Sequence, residues 1–495
     1  MTKSKILLFL LLSFIGAVFV RSFFAVTQTQ IFLLSIFSLI TLFTFYKNKI
    51  ATLVAFLLLS FVFGLRLTDQ KISQANNLIY LGKTFEEKAV VQKVSPSTFG
   101  QNVIVQLEKE KSSVLLQVPQ YPQYQYGDLL EIICQAKAIE NVDPSFDYRM
   151  YMAKEGVLYQ CDKGKAKKLG ENSGNWLYGK IIAARTVFEN KIIKVIPQPY
   201  GALAIGLLLG GSGGLSKEIQ ADFSRTGMTH IVAVSGYNVT IIAEYLILLG
   251  IALGLWRKQA IWFAIIGIAA FVVMSGLPAS AVRAGVMSGI LLWAMKNGRL
   301  ASCENAIIFA AAIMLFLNPL LLRWDVGFQL SFLATLGIVL TSAFWEKNFV
   351  KENKALGISE AITLSLSAQI FVLPIIAYNF HIASLVSLLA NVFILPVIPL
   401  SMLLVFLVML FGLIWTPLSL IFAWLAFAVL AYVIKLIHVL AEFPWASVSI
   451  EKVSVWWIVI YYIILIRIIF WIKSKERKII NLDEDFLTER LKSGK

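Results

Sequence analysis

The chain of 495 residues is 58% hydrophobic and only 15% charged, with a mean hydropathy of +0.76. Soluble domains run at about 45–50% apolar and about 25% charged, so this composition excludes a wholly soluble chain and points to a polytopic α-helical membrane protein. The net charge of +15 does not by itself imply nucleic acid, because basic residues gather on cytoplasmic loops for topological reasons.

The basic start, Lys3 and Lys5, leads into a first apolar segment over 6–20. No small-residue cleavage pattern follows it, so it reads as a span and not as a signal peptide. Further spans are predicted over 31–46 and 50–65. Lys47 and Lys49 lie between them, which puts that loop and the amino terminus in the cytoplasm. Together these make an amino-terminal membrane region over 1–70.

Residues 80–172 change character. Apolar and polar residues alternate over 89–94, 102–107, 114–118 and 129–133, punctuated by Ser95-Pro96, Pro119, Pro122 and Gly127-Asp128. Several short strands at this spacing predict a small inserted β-barrel, OB-like in length and strand count, on the extracytoplasmic side. Its basic and acidic residues balance. The cluster Lys163, Lys165, Lys167 and Lys168 reads either as part of a nucleic-acid groove or as a solvated edge. Cys134 and Cys161 both fall here. In an oxidising compartment they can pair, adding about 3–4 kcal/mol, and the alternative is two unpaired buried thiols. With three histidines and three cysteines scattered, and no CxxC or HxxxH, no metal site is expected.

Over 174–226 the pattern turns helical. Apolar positions from 176 to 196 alternate with Lys180, Arg185, Lys191 and Lys194, as in a helix lying at the membrane interface or packed on the barrel. Residues 202–209 are apolar but about half the length of a span. The glycine-rich run 210–214 lacks a following Gly-Lys-Ser/Thr, so it reads as a hinge and not a phosphate loop. A short polar helix over 215–225 carries Asp222 and Arg225.

Then comes RTGMTHIVAVSGYNV, residues 225–239, at the head of a predicted span over 228–255. Hydrocarbon tolerates such polar groups only where they face protein or water, so the cluster is a candidate functional site. Further spans are predicted over 261–274, 281–295, 306–317, 325–344, 358–378, 383–410, 418–440 and 455–471. The basic loops at Arg257/Lys258, Lys296/Arg299, Lys347/Lys351/Lys354 and after 473 then share the side of the amino terminus. The membrane region covers 227–473, with a cytoplasmic tail over 474–495.

Arg225 to Gly236, Gly276 to Gly285, Asp325 to Gly337, Gln369 to Pro374 and Asn391 to Pro396 resemble, in order, the signature blocks of the ComEC family. Phe146-Asp147-Tyr148-Arg149 through Tyr151 and Gly156 is similar to the exit of that family's OB domain. The resemblance implies an inner-membrane channel for uptake of single-stranded DNA in natural transformation. A DNA receptor, a separate nuclease and a cytosolic helicase would be its partners, beside the lipid bilayer. No enzymatic role and no cofactor are expected. Two departures stand out. Tyr237 and Asn238 occupy the place where the family has Leu-His, which removes a titrating group. The family's carboxy-terminal domain of metallo-β-lactamase type finds no HxHxDH-like cluster here, so nuclease activity is not carried over.

On this reading Arg225, Gly227, His230, Ser235, Gly236, Asn238, Pro278, Arg283, Asp325, Gln329, Gln369, Pro374 and Asn391 line a wet path for the strand. Cationic donors would hold phosphates, glycines would let helices approach, and Pro278 and Pro374 would break helices and free backbone amides. The structural alternative is an Arg283–Asp325 ion pair with Gln and Asn tying helices together. A His230/Ser235/Asp222 hydrolase lacks a nucleophile elbow. With no Walker motif, energy must come from a helicase or the proton gradient. The alternative function is a channel or scaffold of the same fold handling another polyanion. Oligomeric state and strand polarity are not encoded in these patterns.

Overall fold

A computed structural model describes residues 3–97, 100–109, 112–141, 146–162, 164–171, 173–211, 213–296, 303–349, 358–451 and 453–492. Arg299, Lys351, Lys354 and Lys163 of the predicted basic clusters lie outside them. The chain divides into two compact units. The first comprises Met1–Gln220, Thr229–Ser331 and Pro399–Ile434, and the second Ala221–Met228, Phe332–Ile398 and Lys435–Lys495.

The first unit begins with α1 (Lys3–Phe23), α2 (Gln28–Thr44) and α3 (Lys49–Asn76). Thr27 and Gln30 form a capping box on α2, and the Asn48 side chain caps α3. Gly64 lets α3 approach α1: a Cβ there would lie 2.8 Å from both Ala17 Cβ and the Phe14 carbonyl. Ser13 and Ser60 each donate to a carbonyl of the opposite helix, Leu57 and Leu10. α3 runs 11 residues past the predicted end at 65, because Asp69 in its polar extension meets Arg21 of α1 at 2.7 Å.

The sheet follows, with β1 (Thr84–Ser97), β2 (Gly100–Leu107), β3 (Ser113–Val118), β4 (Leu129–Gln135), β5 (Lys137–Ala138), α4 (Tyr148–Ala153), β6 (Val157–Asp162) and β7 (Lys165–Gly170). Its order is β5-β6-β3-β2-β1-β4-β7, antiparallel except for β3 with β6. The alternation is as predicted, with Val103, Val105 and Leu107 buried on one face of β2. The predicted barrel is not closed, since among the described residues no ladder joins the outer strands. The physical reason lies in those strands: β5 is two residues long, and β7 is an exposed edge bearing Lys165, Lys167 and Lys168. The sheet curls instead. Cys134 on β4 and Cys161 on β6, with β3, β2 and β1 between them in the order, are joined by a disulfide with Cα atoms 5.8 Å apart. Lys168 bridges Asp128 and Glu171, which favours the solvated-edge reading at that position.

α5 (Trp176–Val195) leaves the sheet domain with Tyr178 against Tyr126 and Asn175 N–H on the Tyr126 hydroxyl. It then packs on α6 (Tyr200–Leu209) and α10 (Arg257–Met274), which the sequence did not predict. Preceding α10 are α7 (Lys217–Arg225), α8 (Thr229–Val232) and α9 (Gly236–Ala252). After it come α11 (Ala279–Lys296), α12 (Cys303–Leu317), α13 (Leu321–Trp324) and α14 (Val326–Phe349). The remaining elements are α15 (Ile358–Phe380), β8 (Ile382–Ser384), α16 (Ser387–Ile394), a 3-10 turn (Leu395–Val397), α17 (Ile398–Ile414), α18 (Thr416–Glu442), β9 (Ser447–Ser449) and α19 (Val455–Lys492). β8 pairs antiparallel with β9, a small sheet that apolar periodicity did not reveal.

Among the described residues nine helical segments are long and apolar enough to cross a membrane, so the protein is a multi-pass membrane protein. α2, α6, α11 and α12 are shorter apolar helices.

Candidate functional site

The run predicted as one span over 228–255 is interrupted. α8 ends at Val232, and α9 starts at Gly236 with Ser235 extended before it. Ser235 makes the break. Its Oγ accepts the Asn238 N–H at 3.3 Å, a helix N-cap, and donates to Asn238 Oδ1 at 2.9 Å. Asn238 Nδ2 in turn donates to the Leu207 carbonyl in the last turn of α6. Asn238 is 1% exposed, so this network lies inside the protein.

Arg283 of α11 is 7% exposed and lies against Gly236. A Cβ on Gly236 would come within 2.6 Å of Arg283 Nη2, so a larger residue there would make the guanidinium shift. Arg283 Nε donates to Ser331 Oγ at 2.6 Å, and Nη1 approaches Met287 Sδ at 3.5 Å. Ser280 Oγ donates to the Val234 carbonyl in the interruption. Pro278 does not break a helix. It precedes α11, where its carbonyl accepts the Val282 N–H, because Gly276 and Leu277 have already turned the chain at φ 88° and 57°. Arg185 of α5, not predicted as a site residue, donates to the carbonyls of Met274 and Gly210 and so caps α10 and α6 together. His230 is exposed on α8.

Asp325 also lies in the first unit, 7% exposed. The ion pair expected as the structural alternative is made to a different cation: Asp325 Oδ2 meets Lys154 Nζ at 2.5 Å. Its Oδ1 accepts the Phe328 N–H and caps α14. Lys154 Nζ sits 4.1 Å from the Tyr151 ring centroid, and Asn318 Nδ2 donates to the Lys154 carbonyl. Burial first, and then the charges of Glu155 and Asp325 and the neighbouring Tyr148, push the Tyr151 hydroxyl up to about 12. Gln329 Nε2 donates to the carbonyls of Leu322 and Arg323 at the end of α13. Two motifs far apart in sequence, the Phe146 to Gly156 segment and the Asp325 block, are thereby one latch.

The second unit holds the remaining predicted residues. Arg225 Nη2 donates to the Phe443 carbonyl at 3.3 Å. Asp222 is 2.9 Å from His438 Nδ1, whose Nε2 lies 3.4 Å from Glu442. Asp222 thus has His438 as an imidazole partner, and Ser235 is engaged in its cap. Gly227 has φ 70°, and a Cβ there would meet Ser387 and Ser384 Cβ at 2.9 and 3.2 Å. Gln369 Nε2 donates to Ser387 Oγ at 3.1 Å. Asn391 on α16 is 6% exposed, and its Oδ1 has no hydrogen-bond partner among the described residues.

Pro374 sits within α15, and the helix continues through it. The group it frees is a carbonyl, that of Ile370, because proline has no N–H to return. The Tyr461 hydroxyl of α19 donates to that carbonyl at 2.8 Å, and Tyr462 donates to Phe371 at 2.7 Å. The expectation of freed amides is therefore corrected: Tyr461 satisfies the one freed oxygen, and Tyr462 adds a bond to the carbonyl beside it. Among the described residues no group of three or more His, Cys, Asp or Glu could hold a metal.

A family model described as "Competence protein" matches residues 207–475. The chain is similar to ComE operon protein 3 of Bacillus subtilis (strain 168), with 26% identity over 368 residues, 72% of this chain and 46% of the relative. The chain thus spans about half the length of the curated relative it matches. No solved structure matches it.

Proposed function

The chain belongs to the competence protein family, whose model covers more than half of it, and from that membership we propose that it conducts single-stranded DNA inward across the cytoplasmic membrane during transformation. The observation that carries this reading is Arg283. A permanently charged guanidinium held 7% exposed in an apolar helix is costly, and such residues mark ion paths in membranes. It stands where α8 and α9 are interrupted, and Gly236 leaves it room. A broken span with a cation beside it suits a phosphate backbone better than a neutral solute.

In this reading the sheet domain is extracytoplasmic, both termini are cytoplasmic, and the chain acts without catalysing a reaction. Energy comes from a cytosolic helicase or the proton gradient, and a receptor and a separate nuclease deliver the strand. Asp325 and Gln329 hold the latch and the end of α13, and do not line the path.

The test is uptake of labelled DNA into the cytoplasm. Deleting the gene abolishes it. Arg283→Ala lowers it by about tenfold to a hundredfold, the worth of one charge-assisted hydrogen bond of about 1.5–3 kcal/mol. Arg283→Lys, which keeps the charge, restores part of it at equal membrane abundance. Undiminished uptake in the deletion strain ends the reading.

A further inference from the structure

In the second unit one half-buried rung joins α15 to α16, from Gln369 Nε2 to Ser387 Oγ. β8, α16 and the 3-10 turn each pack on α15, so the chain runs back beside that helix. Ser365 lies one turn before Gln369, and Asn391 one turn beyond Ser387, each on the face of the rung. Ser365 is 5% exposed and Asn391 6%, and among the described residues neither Ser365 Oγ nor Asn391 Oδ1 has a hydrogen-bond partner. Native interiors rarely leave such oxygens unmet. Asn391 also sits in the last turn of α16, from which the chain passes through the 3-10 turn into α17. Just beyond it Pro396 lacks the N–H that would return to the Val392 carbonyl.

We propose that Ser365 Oγ, Asn391 Oδ1 and the Val392 carbonyl freed by Pro396 bind a monovalent alkali cation of the size of sodium. The donors are all oxygens, which is what hard cations take. Proline-interrupted spans that leave a carbonyl without its helical partner are where membrane proteins place such ions. The set is neutral, so the ion is held weakly and exchanges. None of this rests on the DNA reading.

The test is the melting temperature of the full purified chain in detergent, in sodium chloride and in N-methyl-D-glucamine chloride at equal ionic strength. Sodium raises it in a saturable way by about 2 °C or more. Ser365→Ala and Asn391→Leu flatten that dependence. Asn391→Asp, which adds a charge to the site, steepens it and keeps the test decisive if either of the others fails to fold. Identical melting in the two salts overturns the proposal and leaves only a buried water on the rung. So does a sodium shift that survives in both Ser365→Ala and Asn391→Leu. Neither outcome depends on whether DNA is taken up.

Discussion

Around Arg283 the side chains that interrupt the apolar pattern are met from within the chain. Ser235 and Asn238 bond each other and α6, Ser280 holds the Val234 carbonyl, and Asp325 closes on Lys154. Along α15 and α16 the same residue types are left otherwise: Ser365, Ser367 and Asn391 keep buried oxygens without a partner among the described residues. A polar residue in a hydrophobic run therefore says where to look and not what is done there. The first region is fixed by its own bonds, and the second is built to receive something.

Mutations that treat the two regions alike should separate them. Asp325→Ala has the largest effect: it strands Lys154 and uncaps α14, and losing one partner of a buried pair costs about 3–5 kcal/mol. The check is membrane abundance and thermal unfolding, and uptake lost at full abundance would return Asp325 to the path. Asn238→Leu removes the bond to Leu207 and leaves that carbonyl unmet, a loss of about 1–3 kcal/mol. Tyr461→Phe orphans the Ile370 carbonyl above Pro374 for about 1 kcal/mol. The smallest change is expected at Asn391→Leu in sodium-free buffer, close to zero by denaturant or heat, because no bond is broken. If Asn391→Leu costs as much as Asn238→Leu, the contrast between the regions fails.

Much of the architecture was written in local pattern. Alternation exposed the strands, apolar length exposed most spans, and the polar stretch 225–239 marked the place where a span breaks. Partners were less legible. Asp325 finds Lys154 across 171 residues, and Tyr461 reaches Ile370 across 91, separations that no periodicity encodes. The cap was within reach, since Ser235 and Asn238 are three residues apart, the spacing of an N-cap bond. Reading the stretch as one continuous span hid it, because hydropathy averages over so short an interruption. Pro374 showed that a hydrogen bond is lost, but not that tyrosines from α19 would replace it.

The disulfide across the curled sheet has a consequence for how the protein is made. Among the described residues hydrogen bonds leave the sheet's two outer strands unjoined, and Cys134–Cys161 ties β4 to β6, one strand in from each edge. Completion of that domain is then a chemical event as well as a folding one, dependent on a thiol oxidant where the domain matures. A cell short of oxidising capacity would accumulate the chain with its membrane helices inserted and its sheet unsealed, so the supply of finished protein would follow thiol-oxidation flux as well as gene expression.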